Sequence, residues 1–458
     1  MSIAGVQPDG ITEEAAAIAM HRRRDMPRDL KYVLRDGCAW AGMVGFGESL
    51  FQPMVLALAL GEQAGQLAAF VPAFVGATCQ LCTPWVVQKL GSHKRVVLAG
   101  SLLQVVSLVV MAVLCGAGAF GYGNVVVPMW VVLGVLSVYQ FGGFSAASAW
   151  ATWMGTIVPA RIRGGYFSMR TRWLYLAQLL SLISASGLLA WAGGGEKTGA
   201  GVLWGFAASM VIASMFRTGS TVCEYRTTEP VPVPRGHRRV GLREAFWKLS
   251  HGPSAGLVGC YFLMAMAQSI ATPSLVPMVM GPLHQPAKAA TLVAGAMMLG
   301  RIGGYFLLPR LLKRWGAPRT LRAAGIALVP LFLIPAVMPN LPAVLVMHML
   351  AGVVYACWEM STWLLVLDQT PQGERTSYMG LLYFGTWLAS YVGGSLGGQV
   401  LSGFRIAEVV PAAYELNGYR TVFVLSCIAR AGMVVPLLLW VRRAERHRVN
   451  AATNAPSR

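Results

Sequence analysis

Charge is what this sequence has least of. Asp, Glu, Lys and Arg make up 12% of its 458 residues, and only 18 of them are acidic. An ordinary soluble domain carries about 25% charged residues. With 55% hydrophobic residues and a mean hydropathy of +0.56, the chain holds more apolar surface than a water-soluble core of this length hides. Other absences narrow the function. No Gly-x-x-x-x-Gly-Lys-Ser/Thr loop occurs, so ATP is not an evident energy source. No nucleophile, base and metal set with recognisable spacing occurs either, which argues against an enzyme. The eight cysteines mostly fall within apolar runs rather than in the pattern of a disulfide framework. Cys79 and Cys82 have metal-like spacing, but inside an apolar run they read as small packing residues, and neither a metal nor a cofactor is expected.

What the sequence does have is apolar runs about 20 residues long, the length that crosses a bilayer. Twelve are visible, at roughly 37–61, 65–88, 96–119, 126–154, 167–192, 200–221, 253–280, 287–310, 320–338, 342–368, 377–402 and 419–441. Strands of a barrel would alternate polar and apolar, so the runs read as helices with all backbone hydrogen bonds satisfied internally. The expected fold is an all-α membrane protein with 12 transmembrane helices.

The formal net charge of +19 raises the question of nucleic acid, and its placement answers it. Lys and Arg collect in the N-terminal arm, in every second connection and in the C-terminal tail. The opposite connections hold only Lys197, Lys288, Arg405 and Arg420. That asymmetry is topogenic: it places both termini in the cytoplasm and a multi-pass protein in the inner or plasma membrane, with lipid rather than nucleic acid as its surroundings. The first 35 residues are polar and contain Arg22-Arg23-Arg24, which suits a cytosolic arm better than a cleavable signal.

Two short segments recur. Pro84-Trp-Val-Val-Gln88-Lys89-Leu90-Gly91-Ser-His-Lys94-Arg95 returns as Pro309-Arg-Leu-Leu-Lys313-Arg314-Trp315-Gly316-Ala-Pro-Arg319. Val158-Pro159-Ala-Arg-Ile-Arg163-Gly-Gly-Tyr166 returns as Thr370-Pro371-Gln-Gly-Glu-Arg375-Thr-Ser-Tyr378. Both echoes follow equivalent runs of a six-run unit, the pattern of a parallel duplication. The longest polar stretch, containing Pro230-Val-Pro232-Val-Pro234-Arg-Gly-His-Arg238-Arg239, lies between the two sets of six. The expected division is an arm at 1–35, a first bundle at 36–222, a basic cytosolic linker at 223–251, a second bundle at 252–445 and a tail at 446–458.

On these residues the chain resembles the major facilitator superfamily from position 36 to about 445. The resemblance implies two pseudo-symmetric six-helix bundles, a cytoplasmic gate and a central cavity lined by the first, fourth, seventh and tenth helices. In that family a carboxylate usually stands where this chain has Gln88, and the second turn has Lys313 there, so the usual acidic latch is missing from both copies. Gly91, Lys94, Arg95, Gly316 and Arg319 keep the rest of the pattern.

Ionisable residues at membrane depth are costly and therefore functional candidates. Glu48 lies near the middle of the first run, with Gln52 one turn further on the same face. Glu359 is central in the tenth run, between Tyr355 and Trp363, each one turn away. Gln140 in the fourth run and Gln268 with Thr272 in the seventh add hydrogen-bonding groups at the same depth. Arg301, inside the eighth run, suits either an anionic substrate or a structural pair with a carboxylate, and Arg430 in the twelfth is a conceivable partner for Glu359. His348 reads as a packing histidine. Near the cytoplasmic ends, Asp368 with Arg375, and Arg163, Arg170 and Arg172 with Asp36, suit a salt-bridge network that holds one conformation shut. Trp150, Trp153 and Trp173 suit an interfacial belt.

These features describe a monomeric secondary active transporter that moves a small solute by alternating access, with a carboxylate such as Glu359 or Glu48 carrying a coupling proton. A non-transporting sensor or assembly factor on the same scaffold, and a multidrug efflux pump, are the alternatives. The fifth run lacks the Gly-Pro pair common in drug–proton antiporters.

Overall fold

The structure, a computed structural model, describes residues 24–58, 62–121, 127–193, 199–230, 242–251, 255–280, 282–285, 288–370, 375–403 and 412–453. Most of the N-terminal arm, the basic part of the linker, Lys197, Arg405, the Pro371–Glu374 stretch of the second echo and the end of the tail lie outside them. Among the described residues every regular element is helical, and eight helical stretches are long and apolar enough to cross a membrane.

Where helices break, proline or glycine is at the break. The first run was expected to be one continuous helix through Glu48 and Gln52. Instead α1 (Met26–Phe46) ends at Gly47, Glu48–Leu50 form a 3-10 turn, and α2 (Phe51–Ala57) resumes around Pro53. Proline has no N–H to give, and its ring clashes with the carbonyl four residues back. Gln52 consequently does not continue Glu48's face in a regular helix, and its side chain is exposed. The seventh run repeats the device 224 positions later: α10 (Ala255–Ala271) gives way to a 3-10 turn at Thr272–Ser274 and α11 (Leu275–Met280), with Pro273 in the turn. That spacing nearly equals the 225 of the duplicated basic turn, so the interruption belongs to the repeat.

Elsewhere the elements run longer. They are α3 (Glu62–Cys79), α4 (Thr83–Leu90), α5 (His93–Phe120), α6 (Met129–Ile157), α7 (Ala160–Gly193) and α8 (Ala200–Arg226). After the linker helix α9 (Leu242–His251) come α12 (Lys288–Leu331), α13 (Ile334–Val337), α14 (Leu341–Gln369), α15 (Arg375–Gly403) and α16 (Ala412–Thr453). The two basic turns are built on left-handed glycines. Gly91 (φ 65°) separates α4 from α5, and Gly316 (φ 73°, ψ 167°) bends α12 between the eighth and ninth apolar runs. Positive φ costs a glycine little because it has no Cβ.

Side-chain placement on α5 is inside out relative to a soluble helix. Leu102, Val106 and Val113 are more than half exposed, whereas Ser101, Gln104 and Ser107 are buried. Lipid is the solvent that such a surface fits, and the chain is a membrane protein.

The chain divides into two compact units. One comprises Met1–Arg163, Leu176–Val240 and Pro371–Gly380, and the other Gly164–Tyr175, Gly241–Thr370 and Leu381–Arg458. Each unit therefore takes a short segment from the opposite half of the sequence, and both segments begin inside the duplicated Pro-to-Tyr element. The first unit is centred on Met43, Met54, Leu108, Met111, Leu136, Tyr139, Phe206 and Met210. In the second, α12 and α14 approach so closely that a Cβ on Gly300 would lie 2.0 Å from the Met349 carbonyl oxygen and one on Gly304 2.6 Å from that of Val353. Only glycine permits this contact.

Candidate functional site

The close approach of α12 and α14 positions an ion pair between two long apolar helices. Arg301 follows Gly300 directly, and its guanidinium meets the Glu359 carboxylate with two bonds, Nη1 to Oε2 at 2.5 Å and Nη2 to Oε1 at 2.8 Å. Nη1 also donates to the Tyr175 hydroxyl at 2.7 Å, and Tyr175 stacks on Tyr305 with ring centroids 5.8 Å apart. Arg301 is only 14% exposed while Glu359 keeps 34%, so one side of the pair is sealed and the other is reachable. A guanidinium and a carboxylate that share two parallel bonds form a strong, geometrically specific pairing.

Tyr355 and Glu359 share a face of α14 as their spacing requires, and both lie in this cluster. The Arg301 guanidinium is 5.9 Å from the centre of the Tyr355 ring. On the other side, the Tyr355 hydroxyl accepts from Arg430 Nη2 at 3.3 Å. Arg430 is fully buried, with its guanidinium carbon 3.6 Å from the centre of the Phe332 ring. The conceivable Arg430–Glu359 pairing is not the one formed: Arg301 holds both carboxylate oxygens. Trp363, one turn further along, packs edge-on against Phe167 at 4.6 Å.

Glu48 occupies the interruption of the first run. Its Oε2 accepts from the Tyr139 hydroxyl at 3.0 Å, Gln140 reaches the same carboxylate, and Tyr139 also touches the Met43 sulfur at 2.8 Å. Gln268 is half-buried on α10. Thr272 is exposed, and its hydroxyl donates to the Gln268 carbonyl at 2.9 Å, within its own helix. His348 is buried, 8% exposed.

With this geometry established, the chain can be set beside known proteins. The family model described as Major Facilitator Superfamily matches residues 257–457. No curated protein matches the sequence. The fold resembles that of a bacterial homologue of the iron transporter ferroportin in its outward-facing state (TM-score 0.69, 15% identity, covering 90% of this chain and 99% of that one). It also resembles the E. coli fucose:proton symporter (TM-score 0.70, 13% identity, 91% and 99% covered) and the human organic anion transporter MFSD10 (TM-score 0.63, 15% identity, 91% and 99% covered). The second half of the chain thus matches the Major Facilitator Superfamily model, and the fold as a whole resembles those transporters.

Near the first basic turn, where position 88 is Gln, a carboxylate comes in from the linker. Glu229, in the first residues of the linker, sits on the N-terminus of α5. It accepts from the His93 backbone N–H at 2.7 Å, from that of Lys94 at 3.3 Å and from the Ser92 hydroxyl, and His93 Nδ1 lies 3.7 Å away. Burial alone would raise its pKa, but the His93 and Ser92 side chains and the backbone N–H groups of Lys94 and His93 together hold the carboxyl below the ordinary carboxylate value. The residues before it are anchored too: the Thr228 N–H donates to Asp29 at 3.1 Å and its carbonyl accepts from Trp153 Nε1 at 3.0 Å. Trp153, expected in an interfacial belt, is instead 1% exposed, because its indole N–H closes this anchor. Trp173, at 47%, does face outward.

The other basic-turn and end residues have mixed surroundings. Lys94 lies over Tyr225 at 5.4 Å, Arg95 Nη1 reaches the Leu90 carbonyl at 3.3 Å, and Arg319 is exposed. Arg163 is buried and donates to the Gly155 carbonyl at 3.1 Å, and a Cβ on Gly155 would meet Arg375 at 2.6 Å. Arg172 stacks on Phe306 at 4.0 Å. Arg170 is half-buried and Asp368 exposed.

One buried charge cluster escaped sequence reading. Arg217 counts by position among the basic flanks of the linker, yet it is 3% exposed. It donates to Gln104 Oε1 at 2.9 Å, to the Ser220 and Ser101 hydroxyls at 2.6 Å each and to Glu224 at 3.3 Å. Ser220 in turn donates to Asp36 at 2.7 Å. Its signal was the seven-residue spacing of Arg217 and Glu224, two helical turns on one face.

Proposed function

We propose that this chain is a secondary active transporter that moves a small solute by alternating access and couples it to protons at Glu359. Twelve transmembrane helices in two six-helix bundles, at about 36–222 and 252–445, with both termini cytoplasmic and a monomer in the plasma membrane, complete the reading. The observation that carries it is the Arg301–Glu359 pair: a bidentate ion pair within apolar helices, with its carboxylate one-third exposed. A coupling carboxylate must meet protons, and this one keeps contact with solvent. Loading Glu359 neutralises it and frees Arg301, which biases a two-state element.

Glu48 serves as the second polar site. It lies at a helix interruption that the seventh run repeats at Thr272, and discontinuous helices are where transporters of this architecture present polar groups to solute. Gly91, Lys94, Arg95, Arg163, Arg170, Gly316, Arg319, Asp368 and Arg375 form the cytoplasmic gate in this reading, with Glu229 in place of the absent acidic latch. The solved structures with this fold include a fucose:proton symporter, an iron-transporter homologue and an organic anion transporter, which supports transport while leaving the solute open.

The test is a thermal-shift screen of the purified protein against sugars, amino acids, organic acids and drugs, followed by uptake of each stabilising compound into proteoliposomes. A ligand that stabilises the protein and enters the vesicles is the expected result. A stabilising ligand that never crosses would favour the sensor reading.

A further inference from the structure

Arg430 has a problem that its surroundings do not solve. It is 0% exposed on α16; its Nη2 donates to one neutral hydroxyl, that of Tyr355, and its Nε and Nη1 have no acceptor among the described residues. The stack on Phe332 at 3.6 Å offsets part of the cost of burying the charge, but a buried cation is ordinarily paired with an anion. Both oxygens of Glu359 are held by Arg301. Arg301, Glu359 and Arg430, gathered around Tyr355, thus leave one positive charge uncompensated.

We infer that this unit binds a small organic anion, a monocarboxylate with an apolar body, whose acidic group is received by Arg430 beside the Tyr355 hydroxyl. This rests on the transporter reading, because the anion must enter past Glu359, the exposed member of the cluster. A monoanion makes the cluster neutral. A neutral sugar leaves the charge where it was, and a cation adds to it. Phe332 and Tyr355, packed at 6.4 Å with planes at 77°, are the aromatic neighbours of Arg430, a setting that suits an acid with an apolar body.

A purely structural Arg430, fastening α16 to Phe332, makes opposite predictions, and one substitution separates them. Arg430→Met keeps the length of the stem and removes the charge. If the charge awaits a ligand, the variant melts at the same temperature as the wild type or higher, since an uncompensated buried cation has gone. If the charge is structural, the variant melts lower and Arg430→Lys recovers stability.

The experiment is a thermal-shift titration of the purified full chain with benzoate and hexanoate, each beside its neutral amide, benzamide and hexanamide. The acids are expected to raise the melting temperature and the amides to leave it unchanged. In Arg430→Met the half-saturating acid concentration rises about 10- to 100-fold, the range for losing a hydrogen bond to a charged group. No response to either acid, equal responses to acid and amide, unchanged acid binding in Arg430→Met, or a lowered melting temperature restored by lysine would each overturn the inference. Uptake into proteoliposomes is scored separately: accumulation of a neutral solute alone would leave the transporter reading standing and remove the anion from it.

Discussion

Arg301 and Glu359, 58 positions apart in the chain, meet through two bonds of 2.5 and 2.8 Å on adjoining helices whose glycines let the backbones touch. The pairing makes one carboxylate both an anchor for a buried cation and the group of the cluster most open to protons. Neutralising that carboxylate would remove the partner of a guanidinium that is 14% exposed.

Removing either partner should cost stability that removing both does not. Glu359→Gln and Arg301→Gln are each expected to destabilise by about 1–2 kcal/mol, below the 3–5 typical of a fully buried pair because Glu359 retains solvent contact. The double variant should lose less than the sum. Denaturation of the four proteins in detergent gives the coupling energy, and strict additivity would show that the pair is not energetically linked.

Glu229 gives a pH prediction. Its folded-state pKa lies below the ordinary 4.5, so its stabilisation is complete at neutral pH and is lost as pH falls through the folded value. Glu229→Gln should lower the melting temperature at pH 7, and the gap to the wild type should close only below pH 4.5. A gap that persists or widens on acidification would mean that the ionised carboxylate is not what caps α5.

The helical character of the apolar runs was legible in the sequence, since run length follows from lipid as solvent. The interruptions at Glu48 and Thr272 were legible in principle: Gly47, Pro53 and Pro273 mark them, but hydropathy averages over such breaks. Pairings were another matter. Arg301 was recognised as unusual, and its partner was not assigned, because the contact depends on Gly300 and Gly352 bringing two backbones together, and this cannot be computed from the spacing of Arg301 and Glu359. Arg217 does not stand out in the sequence, because charge counting treats every arginine at a helix end alike. Glu229 does not show in the sequence as the cap of α5, since it lies 138 positions beyond Gly91.

Arg217 should prove structural. Arg217→Met strands Glu224 and Asp36 without the cation between them and is expected to cost about 3–5 kcal/mol. Adding Glu224→Gln should recover part of that loss. Size-exclusion profiles after detergent extraction, with melting curves, read both effects, and a stable Arg217→Met single variant would contradict the role.

The glycines of α15 provide a matched pair. A Cβ on Gly397 would lie 2.2 Å from the Ile270 carbonyl oxygen, while one on Gly398 meets nothing within 4 Å. Gly397→Ala should therefore destabilise by about 1–3 kcal/mol through overpacking. Gly398→Ala should be neutral or slightly stabilising, as helix propensity favours alanine. Equal effects in melting experiments would show that α15 does not pack on α10 through this glycine.

Proton movement itself tests the central claim most directly. Proteoliposomes carrying a pH-sensitive dye in the lumen would be challenged from outside with sugars, amino acids and monocarboxylates in turn. The wild type should change lumenal pH with at least one of them, and Glu359→Gln should abolish that change while still exchanging labelled solute across the membrane. Solute entry with no pH change in the wild type, or an unaltered pH response in Glu359→Gln, would contradict proton coupling at Glu359.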